Sequence, residues 1–207
     1  IRDLESYGKP LIFVDSNTLY IGHSCVTTDL EDSVITALEY FLEHGHKEIG
    51  LLVGQEETAD ATPLQMDPRQ RTFQQYLTEK GLYEERFVSV GQFSTESGYQ
   101  MMEQLIQALG DYLPTAFFMA SDALAVGALR SLQEHQIAVP DRVSLISFND
   151  TSIAKYVFPA LSTVTVYTEE MGKQAIQMLR QTFQGTQPSV PYMVKLATKL
   201  TIRDSSR

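Results

Sequence analysis

Short apolar segments alternate with amphipathic helical segments along almost the whole chain, and this alternation constrains the fold most strongly. In the helical segment 29–44, for example, Leu30, Val34 and Phe41 share one face, and Gly45 follows its end. Strands are predicted at 11–14, 49–53, 87–90, 115–119, 143–148 and 164–167, with a last strand pair within 192–202. Helices are predicted at 29–44, 67–80, 97–109, 123–135 and 168–183. This repetition predicts an α/β fold in which helices cover both faces of a mostly parallel sheet.

The composition excludes several functional classes. No segment approaches the roughly 18–20 consecutive apolar residues that cross a bilayer, so a membrane protein is not predicted. The single cysteine, Cys25, excludes an internal disulfide framework and favours a reducing compartment. The net charge is −10, from 16 Lys and Arg against 26 Asp and Glu, whereas phosphate contacts need clustered positive charge. We therefore expect this chain not to bind nucleic acid by itself.

Polar and aromatic residues follow the predicted strands, where they mark a candidate ligand site. In open α/β sheets, ligands bind beyond the carboxyl ends of the strands. The residues at these positions are Asp15, Gln55, Phe93, Ser121, Asp122, Asn149, Asp150 and Tyr167. Few of them are suited to acid–base chemistry, so the pattern favours binding over catalysis.

No pattern in the chain predicts catalytic residues, a cofactor or a metal. The glycine-rich nucleotide-binding motifs and the Gly-x-Ser-x-Gly nucleophile elbow are missing from the sequence. His44 and His46 flank a turn glycine at a helix end, where we interpret them as partners of terminal carbonyls. Glu56, Glu57 and Asp60 fall in a polar loop and are interpreted as solvated charges.

Six sequence blocks follow one another in order from about residue 9 to the end. They are 8–15 (GKPLIFVD), 26–29 (VTTD) with 44–54 (HGHKEIGLLVG), 120–129 (ASDALAVGAL), 139–150 (VPDRVSLISFND), 159–164 (PALSTV) and 170–172 (EMG). Together they resemble the ligand-binding core of LacI/GalR-family transcription repressors. The segments 91–99 (GQFSTESGY) and 146–150 (ISFND) are most similar to the β-galactoside-responsive branch of that family.

This resemblance implies a periplasmic-binding-protein-like fold of type I, with two lobes built on doubly wound parallel sheets. Residues 1–27 and about 165–190 would form the N-terminal lobe, and about 28–163 with 191–207 the C-terminal lobe. Against the family pattern, we expect the N-terminal lobe to be incomplete in this chain and the DNA-binding headpiece to lie outside it. The start at Ile1, without an initiator Met or a signal-peptide pattern, led us to expect a piece of a longer protein.

The resemblance also implies which residues bind ligand. Five positions match family contacts to a sugar: Asp15, Arg69, Phe93, Ser121 and Asn149. The carboxylate would accept from sugar hydroxyls, the guanidinium would hold two hydroxyl oxygens, and the aromatic ring would pack on the apolar sugar face. Three further residues are secondary candidates: Asp122, Asp150 and Tyr167.

This sequence departs from the family pattern at two of these positions and at one further position. Ser121 stands where many relatives carry Asn, and Asn149 stands where many carry Asp. Both side chains still donate and accept hydrogen bonds, but neither carries a charge. Val166 replaces a Gln contact and cannot hydrogen-bond through its side chain.

Each candidate also has a purely structural interpretation. Asp15 and the pair Asn149–Asp150 are suited to turns, and Ser121 is suited to capping a helix. Asp122 is better suited to holding the turn together than to touching ligand. The remaining alternatives are that Arg69 is a solvated surface cation, that Phe93 packs in the core or in a lid, and that the Tyr167 side chain covers a hinge.

The function implied by the resemblance is that of an effector-binding and dimerisation core in a cytoplasmic transcription regulator. A sugar, with galactose or a β-galactoside suspected, would bind between the lobes and alter operator affinity, while DNA would be contacted by a headpiece outside this chain. The alternative is a periplasmic-type sugar-binding protein of a transporter, and a third interpretation is an enzyme on a doubly wound sheet. The closing segment 200–206 (LTIRDSS) and the blocks at 44–54 and 159–164 favour the regulator.

Overall fold

The computed structural model describes residues 2–55 and 66–207. Its strands are β1 (Ile12–Val14), β2 (Ser24–Thr28), β3 (Ile49–Gly54), β4 (Val88–Gly91), β5 (Ala116–Met119), β6 (Ser144–Asn149), β7 (Ser162–Thr165), β8 (Met193–Leu196) and β9 (Lys199–Thr201). Its α-helices are α1 (Arg2–Glu5), α2 (Leu30–Glu43), α3 (Pro68–Glu79), α4 (Thr95–Leu109), α5 (Asp122–Glu134), α6 (Ser152–Tyr156) and α7 (Thr168–Gln184). Short 3-10 helices lie at Leu19–Ile21, Glu85–Phe87 and Gly110–Tyr112.

Local sequence explains where several helices begin and end. Three helices start at residues whose side-chain oxygen accepts a hydrogen bond from a first-turn backbone N–H: Asp67 for α3, Ser94 for α4 and Ser121 for α5. Helix α7 ends at Gly185, which has the left-handed conformation (φ 68°) that glycine adopts without steric cost. No described helix combines the length and apolar character required to cross a membrane.

The chain divides into two units, and the larger one comprises residues 30–165 and 199–207. Its six-stranded sheet has the order β4-β3-β5-β6-β7-β9, and every pair is parallel except the antiparallel pair of β7 and β9. Strands β3 and β5 are buried along their whole length, as expected for strands covered on both faces. From β3 the chain adds β4 on one side and β5 on the other, so the strand order reverses between β3 and β5.

The smaller unit comprises residues 1–29 and 166–198. Its three strands are all parallel, in the order β1-β2-β8. Helix α7 supplies the buried side chains Met171, Ala175 and Met178, which pack with Val26 of β2 into a small core. The chain passes from one unit to the other after Asp29, after Thr165 and after Thr198.

The predicted periodic elements are present with ends shifted by a few residues. The short helices α1 and α6 were not predicted, and three further features differ from the sequence analysis. Strand β2 was not predicted, because its Ser-Cys-Val-Thr-Thr sequence lacks an apolar run. The last strand pair predicted within 192–202 is not a pair: β8 joins β2 in one sheet, and β9 joins β7 in the other. Residues 191–198, which we assigned with the C-terminal lobe, are therefore placed in the smaller unit by the pairing of β8.

Candidate functional site

The candidate site lies at the carboxyl ends of β3, β4, β5 and β6 in the larger unit. Reversal of the strand order between β3 and β5 opens a crevice at this edge, and ligands of open α/β sheets bind in such crevices. Four loops and helix starts supply the side chains around it: the start of α3, the turn after β4, the start of α5 and the turn after β6.

Arg69 is the best-anchored residue of this edge. Its Nε and Nη2 donate to the two carboxylate oxygens of Asp67 at 2.9 and 2.7 Å, which is the bidentate arrangement that holds a guanidinium plane in one orientation. Its Nη1 donates to the backbone oxygen of Ala120, just beyond β5, at 2.7 Å. Only 14% of each side chain of the Asp67–Arg69 pair is exposed. The structure therefore does not support a solvated surface cation at this position.

Two aromatic rings enclose the guanidinium. Its carbon lies 4.9 Å from the ring centre of Phe93 and 5.4 Å from that of Phe148, both within the range of cation–π attraction. Phe93 in turn packs on Gly54 at the end of β3, where an added Cβ would lie 2.3 Å from the ring. Glycine at position 54 is therefore what allows this ring to lie against the strand end.

The anchored guanidinium retains donors for a ligand. Its contacts with Asp67 and Ala120 use three of its five N–H groups, and the structure shows no other acceptor for it among the described residues. One N–H on each terminal nitrogen is left to hold ligand oxygens. The residue is thus pre-oriented before a ligand arrives.

Ser121 and Asp122 begin α5, and both are buried. The Ser121 hydroxyl accepts the backbone N–H of Leu124, so the capping role predicted for it is observed. The Asp122 carboxylate accepts four hydrogen bonds, from the Ser147 hydroxyl, the Thr151 N–H and hydroxyl, and the Thr163 hydroxyl. It is 2% exposed, and its hydrogen bonds join α5 to β6, to the loop after β6 and to β7. Asp122 therefore holds the turn together.

Asn149 and Asp150 form the turn after β6 with consecutive positive φ angles of 107° and 58°. Asn149 is exposed, and no hydrogen-bond partner for its side chain is found among the described residues. Asp150 is engaged on both oxygens: Oδ1 binds Arg203 Nη2 at 2.6 Å, and Oδ2 accepts from the Thr165 hydroxyl at 2.9 Å. Of the two residues, the structure therefore presents Asn149 to solvent.

Asp15 and Tyr167 belong to the smaller unit. Asp15 follows β1 with a positive φ of 60°, and its N–H donates to the backbone oxygen of Val26. Tyr167 precedes α7, is 43% exposed and makes no side-chain capping bond there. The structure thus brings Arg69, Phe93, Ser121 and Asn149 to one sheet edge, and describes Asp15 and Tyr167 in the other unit by themselves.

Sequence analysis missed two residues of the site, Asp67 and Phe148. Asp67 was visible as a candidate N-cap before Pro68, the pattern of a helix start, but its second role toward Arg69 depends on side-chain geometry. Phe148 ends the strand predicted at 143–148, and it is 2% exposed while its ring still faces the guanidinium. Neither role has a signal in sequence spacing.

The described residues contain no group of three or more His, Cys, Asp or Glu side chains able to hold a metal ion. Glu56, Glu57 and Asp60 lie outside the described residues. His44 Nδ1 donates to the Tyr40 backbone oxygen, as expected at a helix end, whereas His46 bonds the Thr115 hydroxyl and the backbone oxygen of Arg207.

Comparison with known proteins identifies the family. A sequence profile of the periplasmic binding protein-like domain matches residues 38–206. The HTH-type transcriptional regulator GalR of Streptococcus thermophilus is 51% identical over 207 residues, which are 100% of this chain and 62% of that protein. The chain belongs to the LacI/GalR family of transcription regulators.

Further LacI/GalR-type relatives agree in sequence and in fold. GalR of Lacticaseibacillus casei is 36% identical over 206 residues, again covering 100% of this chain and 62% of that protein. A solved complex of the transcriptional regulator CelR with cellobiose matches with a TM-score of 0.82 and 26% identity, over 98% of this chain and 60% of that one. The chain thus spans less than two thirds of the length of these relatives and has their periplasmic-binding-protein-like fold.

Proposed function

We propose that this chain is the effector-binding core of a cytoplasmic, homodimeric transcription regulator, and that its effector is a neutral sugar. The sugar binds at the strand ends of the larger unit and changes the affinity of the full-length protein for operator DNA, which another part of that protein contacts. The core carries out no catalysis. Support comes from the relatives, which are named as transcriptional regulators, and from a similar structure named as a cellobiose complex.

The observation that carries the proposal is the Arg69 guanidinium, held by Asp67 and Ala120 against Phe93 and Phe148. A sugar presents hydroxyl groups around its edge and C–H groups on its faces. The two remaining N–H groups of Arg69 suit adjacent hydroxyl oxygens, while the exposed part of the Phe93 ring suits a C–H face. Asn149 and Ser121 add neutral donors and acceptors at the same edge.

The charges at this edge favour a neutral ligand over a sugar phosphate. Asp67 neutralises Arg69, and Arg203 pairs with Asp150 at 2.6 Å. Both arginines described at this edge therefore have a carboxylate partner. A phosphate group binds best to cations whose charge is not already neutralised in this way.

We expect Arg69→Ala to abolish sugar binding without unfolding the protein, because it removes the anchored donors and leaves the core unchanged. Isothermal titration of galactose and lactose into the full-length regulator measures the effect. Arg71→Ala is the matched control, since its exposed side chain lies on the same helix. Unchanged affinity in Arg69→Ala, or an equal loss in both variants, would show that Arg69 does not bind the sugar.

The same titration with galactose 6-phosphate tests the class of ligand. We expect the phosphorylated sugar to bind more weakly than galactose, because Asp67 repels the added negative charge. Tighter binding of the phosphorylated sugar would overturn the neutral-ligand proposal. Asp15→Ala, run beside these variants, tests the family contact that the resemblance assigns to the smaller unit.

A further inference from the structure

The turn that carries Asn149 has a backbone conformation that needs support. Residues other than glycine rarely adopt a positive φ. The φ of Asn149, 107°, lies even beyond the left-handed region that asparagine tolerates. Asp150 follows with a second positive φ, at 58°. Strained residues of this kind persist where the surrounding structure determines their conformation, and they concentrate at functional sites.

Two side chains hold this turn, the buried carboxylate of Asp122 and the mostly buried guanidinium of Arg203. Asp122 binds residues before and after it, through the Ser147 hydroxyl at 2.5 Å and the Thr151 N–H at 2.6 Å. Arg203 binds the turn itself, because its Nη2 donates to Asp150 at 2.6 Å while its Nη1 donates to the backbone oxygen of Leu161 at 2.7 Å.

The Arg203–Asp150 pair is well shielded and well anchored. Side-chain exposure is 17% for Arg203 and 10% for Asp150. The backbone N–H of Arg203 donates to the Ser162 hydroxyl at 2.8 Å, which fixes the segment after β9 against β7. Asp150 is held further by the Thr165 hydroxyl and by its own N–H to Thr163.

We propose that Arg203, acting through Asp150, is a positioning residue for Asn149: it holds the paired positive-φ turn that presents the Asn149 amide to the ligand. The proposal rests on the sugar-binding function proposed above. Its physical basis is the planar guanidinium fork, which binds a β7-side carbonyl and the Asp150 carboxylate at once. A lysine at position 203 has one charged nitrogen and cannot hold both groups in the same geometry.

The test separates positioning from general structural support with a double-mutant cycle in the full-length protein. Galactose affinity is measured for Arg203→Met and for Asn149→Ala, alone and combined. We expect Arg203→Met to weaken binding about tenfold in the protein with Asn149, through relaxation of the strained turn, and to have no further effect when Asn149 is already alanine. An equal loss in both backgrounds, or no loss, would overturn the proposal.

Two further variants keep the test decisive. Asp150→Asn removes the ion pair from the other side, and Arg203→Lys is expected to recover part of the affinity lost in Arg203→Met. Arg207→Met is the control, because its ion pair with Asp141 is exposed and lies on the same C-terminal segment.

A crystal structure of the ligand-free Arg203→Met or Asp150→Asn variant gives a readout independent of any sugar. We expect the Asn149 φ to leave the positive region, and an unchanged turn would overturn the proposal. If galactose fails to bind the unmodified protein, the sugar-binding proposal fails, while this structure still decides whether Arg203 positions Asn149.

Discussion

Arg69 shows how a neighbouring carboxylate orients a charged side chain at a sheet edge. A guanidinium that is mostly withdrawn from water needs partners for its charge and its N–H groups, and Asp67 supplies both within the first turn of α3. The same carboxylate also caps the helix through the Arg69 N–H at 2.8 Å. One residue therefore fixes both the start of the helix and the direction of the binding side chain.

At this scale we predict that Asp67→Ser leaves the fold intact but weakens sugar binding. Serine still caps the helix, yet it removes the two charge-assisted bonds that orient Arg69. Since such bonds contribute about 1.5–3 kcal/mol, we expect a loss of affinity of roughly tenfold or more, measured by titration with galactose. Affinity equal to that of the unmodified protein would show that Arg69 does not need this partner.

Helices α4 and α5 show how glycine controls the distance between elements. A Cβ on Gly127 would lie 1.9 Å from the Thr95 backbone oxygen, and one on Gly98 would lie 2.3 Å from the Leu124 oxygen. The two helices therefore approach backbone to backbone, which brings polar side chains of both helices together. Glu103 of α4 thereby accepts from the Ser131 hydroxyl at 2.7 Å and bonds His135 at 2.9 Å.

We predict that Gly127→Ala destabilises the protein by about 1–3 kcal/mol or more, because the added methyl group has no space between the helices. The midpoint of urea unfolding measures this change. Gly172→Ala on α7 is the matched control: its Cβ meets nothing within 4 Å, so the change should stabilise by about 0.5–1 kcal/mol through helix propensity. Similar midpoints for the two variants would contradict the close packing.

The pH dependence of stability is predicted from Glu103. Hydrogen bonds from Ser131 and then His135 hold the pKa of Glu103 below its ordinary value of 4.5. The folded state then favours the carboxylate, so this contribution to stability is present above the unfolded pKa and is lost as the pH falls through the lower folded pKa. We expect Glu103→Gln to be less stable than the unmodified protein near pH 7. The difference between their free energies of unfolding should disappear in acid. A gap that does not change between pH 7 and pH 3 would contradict the assignment.

At the scale of the whole molecule, the net charge agrees with the proposal that this chain binds effector and that another part of the full-length protein contacts DNA. The chain carries a net charge of −10, which disfavours contact with phosphate. The proposed effector site lies in the larger unit. The chain passes between the larger and the smaller unit three times. Any ligand shifts an equilibrium between two states only by its differential affinity for those states.

We predict that saturating galactose changes the operator affinity of the full-length regulator by about 5- to 150-fold, the usual range of allosteric coupling. Arg69→Ala should bind operator and lose this response, since it lacks the effector contact and leaves the DNA-binding part unchanged. Fluorescence anisotropy with labelled operator DNA measures both properties. A full response in Arg69→Ala would contradict the proposed coupling.

The amino-acid sequence by itself determined the layered α/β architecture, because hydrophobic periodicity and helix capping are local properties. Most strands and helices were predicted within a few residues of their bounds, and the strand-end rule led directly to Ser121 and Asn149. Phe93 came from that rule and from the family resemblance, and Arg69 came from the resemblance alone, which the comparisons confirm at the level of the family.

Tertiary structure decided which of these residues act together. Arg69 meets Ala120 across 51 positions, and Asp150 meets Arg203 across 53, so no local pattern records either contact. The same holds for β8 and β9, which are neighbours in sequence but pair with strands of different sheets. Sheet pairing and long-range hydrogen bonds depend on the distances that the folded chain creates, and those distances make the Arg69–Ala120 contact and the Arg203–Asp150 pair that holds the Asn149 turn.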